Sequence, residues 1–164
     1  ALFWNMDETM LDSTARKVKV LSPRDSRPLR MLSNESEGQH ITLIFCVAAD
    51  GGHLTPSIIL PLKEFPPNLS EFSHKFFWAG QSSGWITSEI FKHWVIKSFI
   101  PHVNARRMAI NRPEERALLM VDSHGSRRNV EALRALQNAN TDVLTFPSHT
   151  SHILQPLNAC KKNF

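Results

Sequence analysis

Two apolar segments of this chain each end in an aspartate, Asp7 and Asp122. In open α/β sheets, ligands gather outside the carboxyl ends of the strands, so these carboxylates converge if the two strands are neighbours. Two close carboxylates repel each other, and a hard divalent cation such as Mg²⁺ or Mn²⁺ between them relieves that repulsion. The plainer interpretation, which the spacing alone slightly favours, is that each Asp caps the loop or helix that follows it.

Other patterns of reactive side chains are weaker. His149 and His152 have the spacing of a metal-binding pair, but they lack the glutamate of a zinc peptidase and lie in a Pro-flanked loop. This context favours a structural or phosphate-contacting role. Ser123 and His124 are adjacent without a nucleophile elbow, so serine hydrolysis is not expected. The sequence also has no Gly-rich phosphate loop and no zinc-type Cys/His spacing.

The elements that must position these residues begin with strands. Residues 2–7 predict a short buried strand that ends at its aspartate. The turn Asp50-Gly51-Gly52 between the apolar runs 41–49 and 54–60 predicts a β-hairpin. Pro56 predicts that the second hairpin strand begins near a sheet edge.

Two connections and a helix occupy much of the remaining chain. Residues 16–36 predict an exposed basic loop with one short strand at 17–21, and residues 64–84 predict a second connection. Thr87 is predicted to cap a helix whose aromatic stripe belongs to the core, and Pro101 is predicted to end or kink that helix.

The last elements alternate in type. Strands over 116–122 and 141–146 flank a short helix over 130–136. The order of strand, hairpin, helix, strand, helix and strand predicts an α/β or mixed sheet with helices packed on its faces.

The composition indicates one folded unit. The 164 residues are 41% hydrophobic, which is enough for a core and too apolar for a disordered tail. No apolar run approaches the ~20 residues that span a bilayer, so no membrane segment is expected. Cys46 lies in an apolar strand and is predicted to be buried and reduced, and with Cys160 it forms no disulfide framework. Because the chain starts directly on a strand, residues 1–164 are predicted to be a piece of a longer protein.

The charge permits a polyanionic partner. The chain has a net charge of +4 and a pI of about 9.4. Any one basic cluster is better explained as solvated surface, but several clusters close to acidic motifs favour contact with a phosphate backbone. The clusters comprise Arg16, Lys17 and Lys19; Arg24, Arg27 and Arg30; Arg106 and Arg107; and Arg127 and Arg128.

Five motifs occur in order along the chain and resemble those of a known family. They are Asn5-Met6-Asp7-Glu8-Thr9; Ala49-Asp50-Gly51; Gly84-Trp85 with Phe91 and Trp94; Val121-Asp122-Ser123-His124; and Pro147-Ser148-His149-Thr150-Ser151-His152-Ile153-Leu154-Gln155-Pro156-Leu157. Together they resemble the DDE endonuclease domain of pogo-type transposases in the mariner superfamily, a group that includes domesticated jerky-like and centromere-binding proteins. The resemblance covers essentially the whole chain, and the stretch from His149 to Leu157 is specific.

The resemblance implies a fold and a set of metal ligands. The implied fold is α/β, a ribonuclease H-like mixed sheet flanked by helices, with the C-terminal helix truncated in this chain. Three acidic side chains of the family hold two divalent cations, Mg²⁺ or Mn²⁺. Motif by motif, Asp7 is the first ligand and Asp122 the second. The third acidic position falls on Asn158, directly after Gln155-Pro156-Leu157.

The resemblance also implies partners. DNA is the implied partner, and Arg127, Arg128, His149 and His152 are the residues expected to contact it. A homodimer is allowed, a membrane is not involved, and a nuclear location is expected.

Asn158 stands where the implied chemistry needs a charge. Two-metal catalysis places the cations ~3.5–4 Å apart, and two +2 charges at 4 Å repel by roughly 16 kcal/mol at an effective dielectric of 20. An amide donates an oxygen lone pair but no charge, so we expect weaker metal binding and strongly reduced or absent cleavage. Glu8 is not expected to substitute, because a continuing strand points it to the opposite face, and Asp142 starts its strand.

Three functions remain open from the sequence. The leading one is a DNA-binding DDE domain, derived from a cut-and-paste transposase, whose phosphodiester hydrolysis and strand transfer are impaired by Asn158. The second is a non-enzymatic chromatin protein that reuses the fold for DNA binding or dimerisation. The third, least favoured, is a plain metal-dependent nuclease. Asn158 itself is explained equally by natural decay in a defective or domesticated copy and by an engineered Asp→Asn change.

Overall fold

One mixed sheet of six strands organises the part of the chain that the structure describes. The computed structural model describes residues 2–12, 40–62, 76–148 and 150–160. The strands cross the sheet in the order β4-β3-β2-β1-β5-β6. Their bounds are β1 (Leu2–Asp12), β2 (His40–Ala48), β3 (Ser57–Leu60), β4 (Trp78–Gly80), β5 (Ala117–Val121) and β6 (Thr141–Thr145).

The strand directions make the sheet mixed, as the sequence predicts. β2 pairs antiparallel with both β1 and β3. β5 pairs parallel with both β1 and β6, and β4 pairs parallel with β3. The α/β class and the predicted hairpin of β2 and β3 are therefore confirmed.

Helical elements fill the connections. They are α1 (Ser88–Trp94), a π-helical segment (Val95–Phe99), α2 (Ile100–Ala109), a 3₁₀ turn (Gly125–Arg128), α3 (Val130–Asn138), α4 (Ser151–Leu154) and α5 (Pro156–Cys160). Thr87 caps α1 as predicted, since its hydroxyl oxygen accepts a hydrogen bond from the backbone N–H of Ile90 at 3.2 Å. No helix in these described ranges is long and apolar enough to cross a bilayer.

The prediction that β1 ends at Asp7 is wrong. β1 runs on to Asp12 because β2 pairs with it along that whole length, with Asp12 opposite His40. Its other neighbour, β5, stops at Val121. Asp7 therefore lies near the end of the parallel part of the sheet, while the strand itself continues as one arm of a longer antiparallel pair.

Two predictions about the sheet edge are also wrong. Residues 64–84 were expected to be a plain connection, but β4 lies within them, and its three residues are too few to show an alternating pattern. β4 covers the outer side of β3, so Pro56 precedes an interior strand. The predicted strand at 17–21 and most of the basic loop 16–36 lie outside the described residues.

Of the two outcomes predicted at Pro101, an end of the helix is excluded, because helical residues continue beyond it. Pro101 lies in the first turn of α2, which continues to Ala109. A proline within a helix removes one N–H donor and crowds the preceding turn. The π-helical segment just before it widens that turn, and the Ile100 N–H reaches back five residues to the Val95 carbonyl.

The core lies between the sheet and the consecutive helical segments over residues 88–109. Trp4 of β1 meets Phe99 edge-on with ring centroids 6.1 Å apart, and Phe99 lies 5.5 Å from Trp94. The aromatic stripe of the helix is fully buried, as predicted. Cys46 is buried in β2 and carries a free thiol, also as predicted, and its burial raises the pKa of that thiol.

Candidate active site

Asp7 and Asp122 occupy equivalent positions on neighbouring parallel strands. β1 and β5 are paired with Asn5 opposite Met120, and each aspartate lies two residues further along its own chain. Both side chains are partly buried. The structure therefore brings together the ends of the two segments that the sequence singles out.

Glu8 takes part in the site through an arginine. β1 continues through Glu8, so Glu8 and Asp7 belong to opposite faces of the strand. The guanidinium of Arg127 connects it to Asp122, because Nη2 donates to Glu8 Oε1 and Nε donates to Asp122 Oδ1, the latter at 3.1 Å. The Arg127 side chain is 3% exposed, so this is a buried ion-pair network.

The 3₁₀ turn after β5 presents Arg127 in this position. His124 caps the turn, since its Nδ1 accepts from the Ser126 N–H at 3.4 Å and lies 2.8 Å from Ser126 Oγ. Ser123 Oγ instead lies 3.2 Å from Ser148 Oγ. His124 is thus engaged with Ser126, and the arrangement gives no support to serine hydrolysis.

Two amide side chains tie the segment that carries Asn158 to β1. Asn5 donates from Nδ2 to the Met120 carbonyl at 3.2 Å and accepts at Oδ1 from the Leu157 N–H at 3.0 Å. Gln155 is buried and donates from Nε2 to the Met6 carbonyl at 3.1 Å. These anchors attach the start of α5 to the two residues that immediately precede Asp7.

Asn158 uses its amide nitrogen within this segment. Nδ2 donates to Gln155 Oε1 at 3.2 Å and to the Ser151 carbonyl at 3.4 Å. A carboxylate at this position could not make these two donations, because it has no N–H. The amide is therefore part of the local hydrogen bonding as well as a weak oxygen donor.

Asn5 and Gln155 are positioning residues that lie within the sequence motifs but are not among the predicted site residues. The sequence nevertheless contains a signal for each of them. Asn5 is a polar residue within an apolar strand, and Gln155 is a polar residue between Leu154 and Pro156. Buried amides of this kind need partners, and both side chains have them.

The side chains that the motifs align with the metal ligands all carry oxygen donors. The Asp7 and Asp122 carboxylates and an amide oxygen of Asn158 are hard oxygen donors of the kind that Mg²⁺ and Mn²⁺ prefer. Across the described ranges, no cluster of three or more His, Cys, Asp or Glu side chains is placed to hold a metal ion. Arg127 adds a positive charge at Asp122 and Glu8, with which it forms ion pairs.

The residues expected to contact DNA fall into different environments. Arg127 is buried, and its ion pairs do not suit contact with a DNA backbone. Arg128 is exposed next to it, and His152 is exposed on α4. His149 lies outside the described residues.

The second basic cluster that the structure describes, Arg106 and Arg107, also makes its contacts within the fold. Arg106 donates from Nη2 to Asp50 Oδ2 at 2.7 Å, and Arg107 is buried. Arg106 and Arg107 are therefore less available to a phosphate backbone than their clustering in the sequence suggests.

Comparison with known proteins gives matches along most of the chain. Residues 38–160 match the family model described as DDE superfamily endonuclease, a range that includes Asp122 and Asn158 and begins after Asp7. The chain is 27% identical over 134 residues to human Tigger transposable element-derived protein 7, covering 76% of this chain and 24% of that protein. It is 25% identical over 158 residues to the mouse pogo transposable element with KRAB domain, covering 93% of this chain and 24% of that protein.

A solved structure shares the fold. The crystal structure of the Mos1 mariner paired end complex with Mn superposes with a TM-score of 0.57 at 15% identity, covering 98% of this chain and 41% of that chain. This likeness confirms the predicted ribonuclease H-like arrangement of a mixed sheet with helices. The chain spans about a quarter of the length of the curated relatives it matches.

Proposed function

Because this chain belongs to the DDE superfamily endonuclease family, we propose that it is the metal- and DNA-binding core of a transposase-derived protein whose cleavage activity is weak or lost. The resemblance to pogo-type domains that the motifs predict is confirmed by the family match and by the Tigger and pogo relatives. Metal binding, DNA binding and the state of the catalytic site are the proposed parts.

One observation carries the proposal. Asp7 and Asp122 lie at equivalent positions of adjacent parallel strands, and Asn5 and Gln155 hold the Asn158 segment to the same strand. In this arrangement Asp7 and Asp122 supply the charged oxygen ligands. Asn158 supplies at most a neutral oxygen.

The residues of this chain would position the cation and the DNA, and they would not themselves react with the substrate. When bound, a divalent cation supplies Lewis-acid activation of the attacking water or 3′-hydroxyl and stabilises the leaving oxygen of the phosphodiester. Asp7 and Asp122 would hold that cation at the sheet, and the tethers from Asn5 and Gln155 would fix the third position. Exposed Arg128 and His152 are the described residues from the expected set that are available to contact phosphates.

A second candidate function follows from the same site. Asn158 removes one negative charge and Arg127 neutralises part of another, and both changes lower the affinity for cations. These observations favour a non-catalytic protein that retains the fold to bind DNA. In either case DNA is the proposed partner and the nucleus is the proposed location.

A DNA nicking assay separates the two functions. Supercoiled plasmid would be incubated with Mn²⁺ and the chain as it stands, with Asn158→Asp, or with Asn158→Asp combined with Asp7→Ala. The first function predicts nicking by Asn158→Asp, little by the unaltered chain, and none by the double variant. Inert Asn158→Asp protein that still binds DNA would favour the non-catalytic function.

A further inference from the structure

Arg127 is a cation built into the acidic site. We propose that it acts as a resident positive charge, which occupies Asp122 and limits how strongly a divalent metal binds there. The proposal rests on the proposed metal-binding function and adds a residue that sets the strength of that binding. Arg127 is thus a positioning residue that acts through Asp122.

The contacts of Arg127 involve the whole guanidinium group. Nε donates to Asp122 Oδ1 at 3.1 Å, Nη2 donates to Glu8 Oε1, and Nη1 donates to Ser126 Oγ at 3.1 Å. Its central carbon lies 5.1 Å from the centre of the Phe91 ring, within cation–π range. Every nitrogen has a partner, and the flat face of the group has an aromatic neighbour.

These contacts are fixed by the fold around them. Phe91 is fully buried in α1, and Ser126 is buried in the 3₁₀ turn that His124 caps. A surface arginine could swing away when a metal approaches, but a side chain that is 3% exposed and held at three nitrogens cannot do so without local rearrangement. The folded structure therefore holds this positive charge at Asp122.

The electrostatic consequence has a definite sign. A divalent cation bound by Asp122 would share that carboxylate with the guanidinium, and the two positive charges repel. Arg127 and Asn158 thus change the site in the same direction, since each makes it less negative.

Direct Mn²⁺ binding tests this inference without reference to cleavage. Free Mn²⁺ would be followed by its electron paramagnetic resonance signal in titrations of the unaltered chain, Arg127→Gln and Arg128→Gln. Arg128 is the matched control, because it is the adjacent exposed arginine and its replacement makes the same change in net charge. We expect Arg127→Gln to bind Mn²⁺ about tenfold more tightly, because loss of the guanidinium charge relieves its repulsion of the bound cation, and Arg128→Gln to stay within about twofold of the unaltered chain.

Two further variants keep the test decisive if Arg127→Gln does not fold. Glu8→Gln combined with Arg127→Gln removes both members of one ion pair and leaves the net charge unchanged, and it is expected to retain tighter binding. Arg127→Lys keeps the charge and is expected to bind Mn²⁺ as weakly as the unaltered chain. Folding of each variant would be checked by cooperative thermal unfolding.

Several outcomes would overturn the inference. Folded Arg127→Gln that binds Mn²⁺ no better than the unaltered chain would do so, as would equal tightening in Arg127→Lys. If the unaltered chain still shows saturable Mn²⁺ binding in that titration, only the role of Arg127 fails. If no variant binds Mn²⁺, the proposed metal-binding function fails with it.

Discussion

At the level of single residues, the site depends on the difference between carboxylates and amides. Asp7 and Asp122 bring charge, whereas Asn5 and Gln155 bring paired donors and acceptors that fix backbone positions. Asn158 follows the second pattern at a place where the first is expected, since its amide nitrogen donates within its own segment. The proposed metal site therefore has two carboxylates and one amide at the three positions that the motifs align with acidic ligands.

Gln155 gives the sharpest test of this scaffold. Gln155→Ala would remove the shorter of the two side-chain hydrogen bonds to the Met6 carbonyl, since Asn5 Nδ2 reaches it only at 3.5 Å, and would release Asn158 from Gln155 Oε1. We expect the free energy of unfolding to fall by about 1–3 kcal/mol, the cost of weakening the hydrogen bonding of buried polar groups. Urea denaturation measures this change. His152→Ala is the control, because His152 is exposed on the neighbouring helix and should change stability by less than about 0.5 kcal/mol.

The tether would be refuted by a small effect. If Gln155→Ala unfolds at the same urea concentration as His152→Ala, the buried amide contributes nothing to holding α5 on β1.

At the level of elements, one buried arginine joins three segments of the fold. Arg107, near the end of α2, donates from Nε to the Glu115 carbonyl at 2.7 Å. It also donates from Nη1 to the Ala139 carbonyl and from Nη2 to the Asn140 carbonyl, each at 2.8 Å. Arg107 therefore connects α2 to the chain that enters β5 and to the turn that enters β6.

Lysine substitutions at the adjacent positions 106 and 107 distinguish the buried hydrogen bonds of Arg107 from the partly exposed ion pair of Arg106. A lysine at 107 keeps the charge but lacks the planar fork that reaches several carbonyls at once. We expect Arg107→Lys to lower the free energy of unfolding by about 2–3 kcal/mol. Arg106→Lys should cost less than about 0.5 kcal/mol, because Arg106 pairs with Asp50 at a partly exposed site. If the two substitutions have equal effects in urea denaturation, the hydrogen bonds of Arg107 contribute no more to stability than a surface ion pair does.

His102 makes the contact between α2 and β1 sensitive to pH. Its ring packs edge-on against Trp4 with centroids 5.4 Å apart. Burial lowers the pKa of His102 below its ordinary value of 6.5, and the charges of His53 and Arg106 lower it further. In the unfolded chain the same histidine takes up its proton more readily than in the folded protein.

The sign of the pH effect follows from this difference. As the pH falls below about 6.5, the unfolded state binds more protons than the folded state, so the free energy of unfolding decreases. The loss continues until the pH falls below the lowered pKa of the folded state. We expect His102→Gln to flatten this slope as the pH falls below 6.5, measured by thermal unfolding across that range. An unchanged slope in His102→Gln would assign the pH dependence to other groups.

At the level of the whole molecule, local sequence patterns predicted most of the elements and fewer of their connections. The hairpin turn at Gly51, the cap at Thr87 and the buried aromatic helix face are each encoded by neighbouring residues, and all are confirmed. The length of β1, the pairing of β4 and the continuation past Pro101 depend on distant strands or on a change of helix type. Such non-local causes leave no periodic signal in the sequence.

The same distinction applies to the site. The sequence motifs singled out Asp7, Asp122 and Asn158, and in the structure each aspartate follows the paired residues Asn5 and Met120 by two positions. The role of Arg127 could not be predicted, because Glu8 and Asp122 are far apart in the chain and meet at the guanidinium only in the folded protein. Arg107 and Arg127, which belong to basic clusters in the sequence, are buried in hydrogen-bond networks within the fold.

The central claim is that Asp7 and Asp122 form a metal site that Asn158 weakens. Thermal unfolding across a Mn²⁺ titration tests it most directly, with the unaltered chain, Asn158→Asp and Asp7→Ala compared under identical conditions. A ligand at 100 times its Kd adds about 2.7 kcal/mol to the stability of the folded state. We expect a saturable rise in Tm for the unaltered chain, a larger rise at lower Mn²⁺ concentration for Asn158→Asp, and none for Asp7→Ala. No rise in any variant, or an equal rise in Asp7→Ala, would contradict the account.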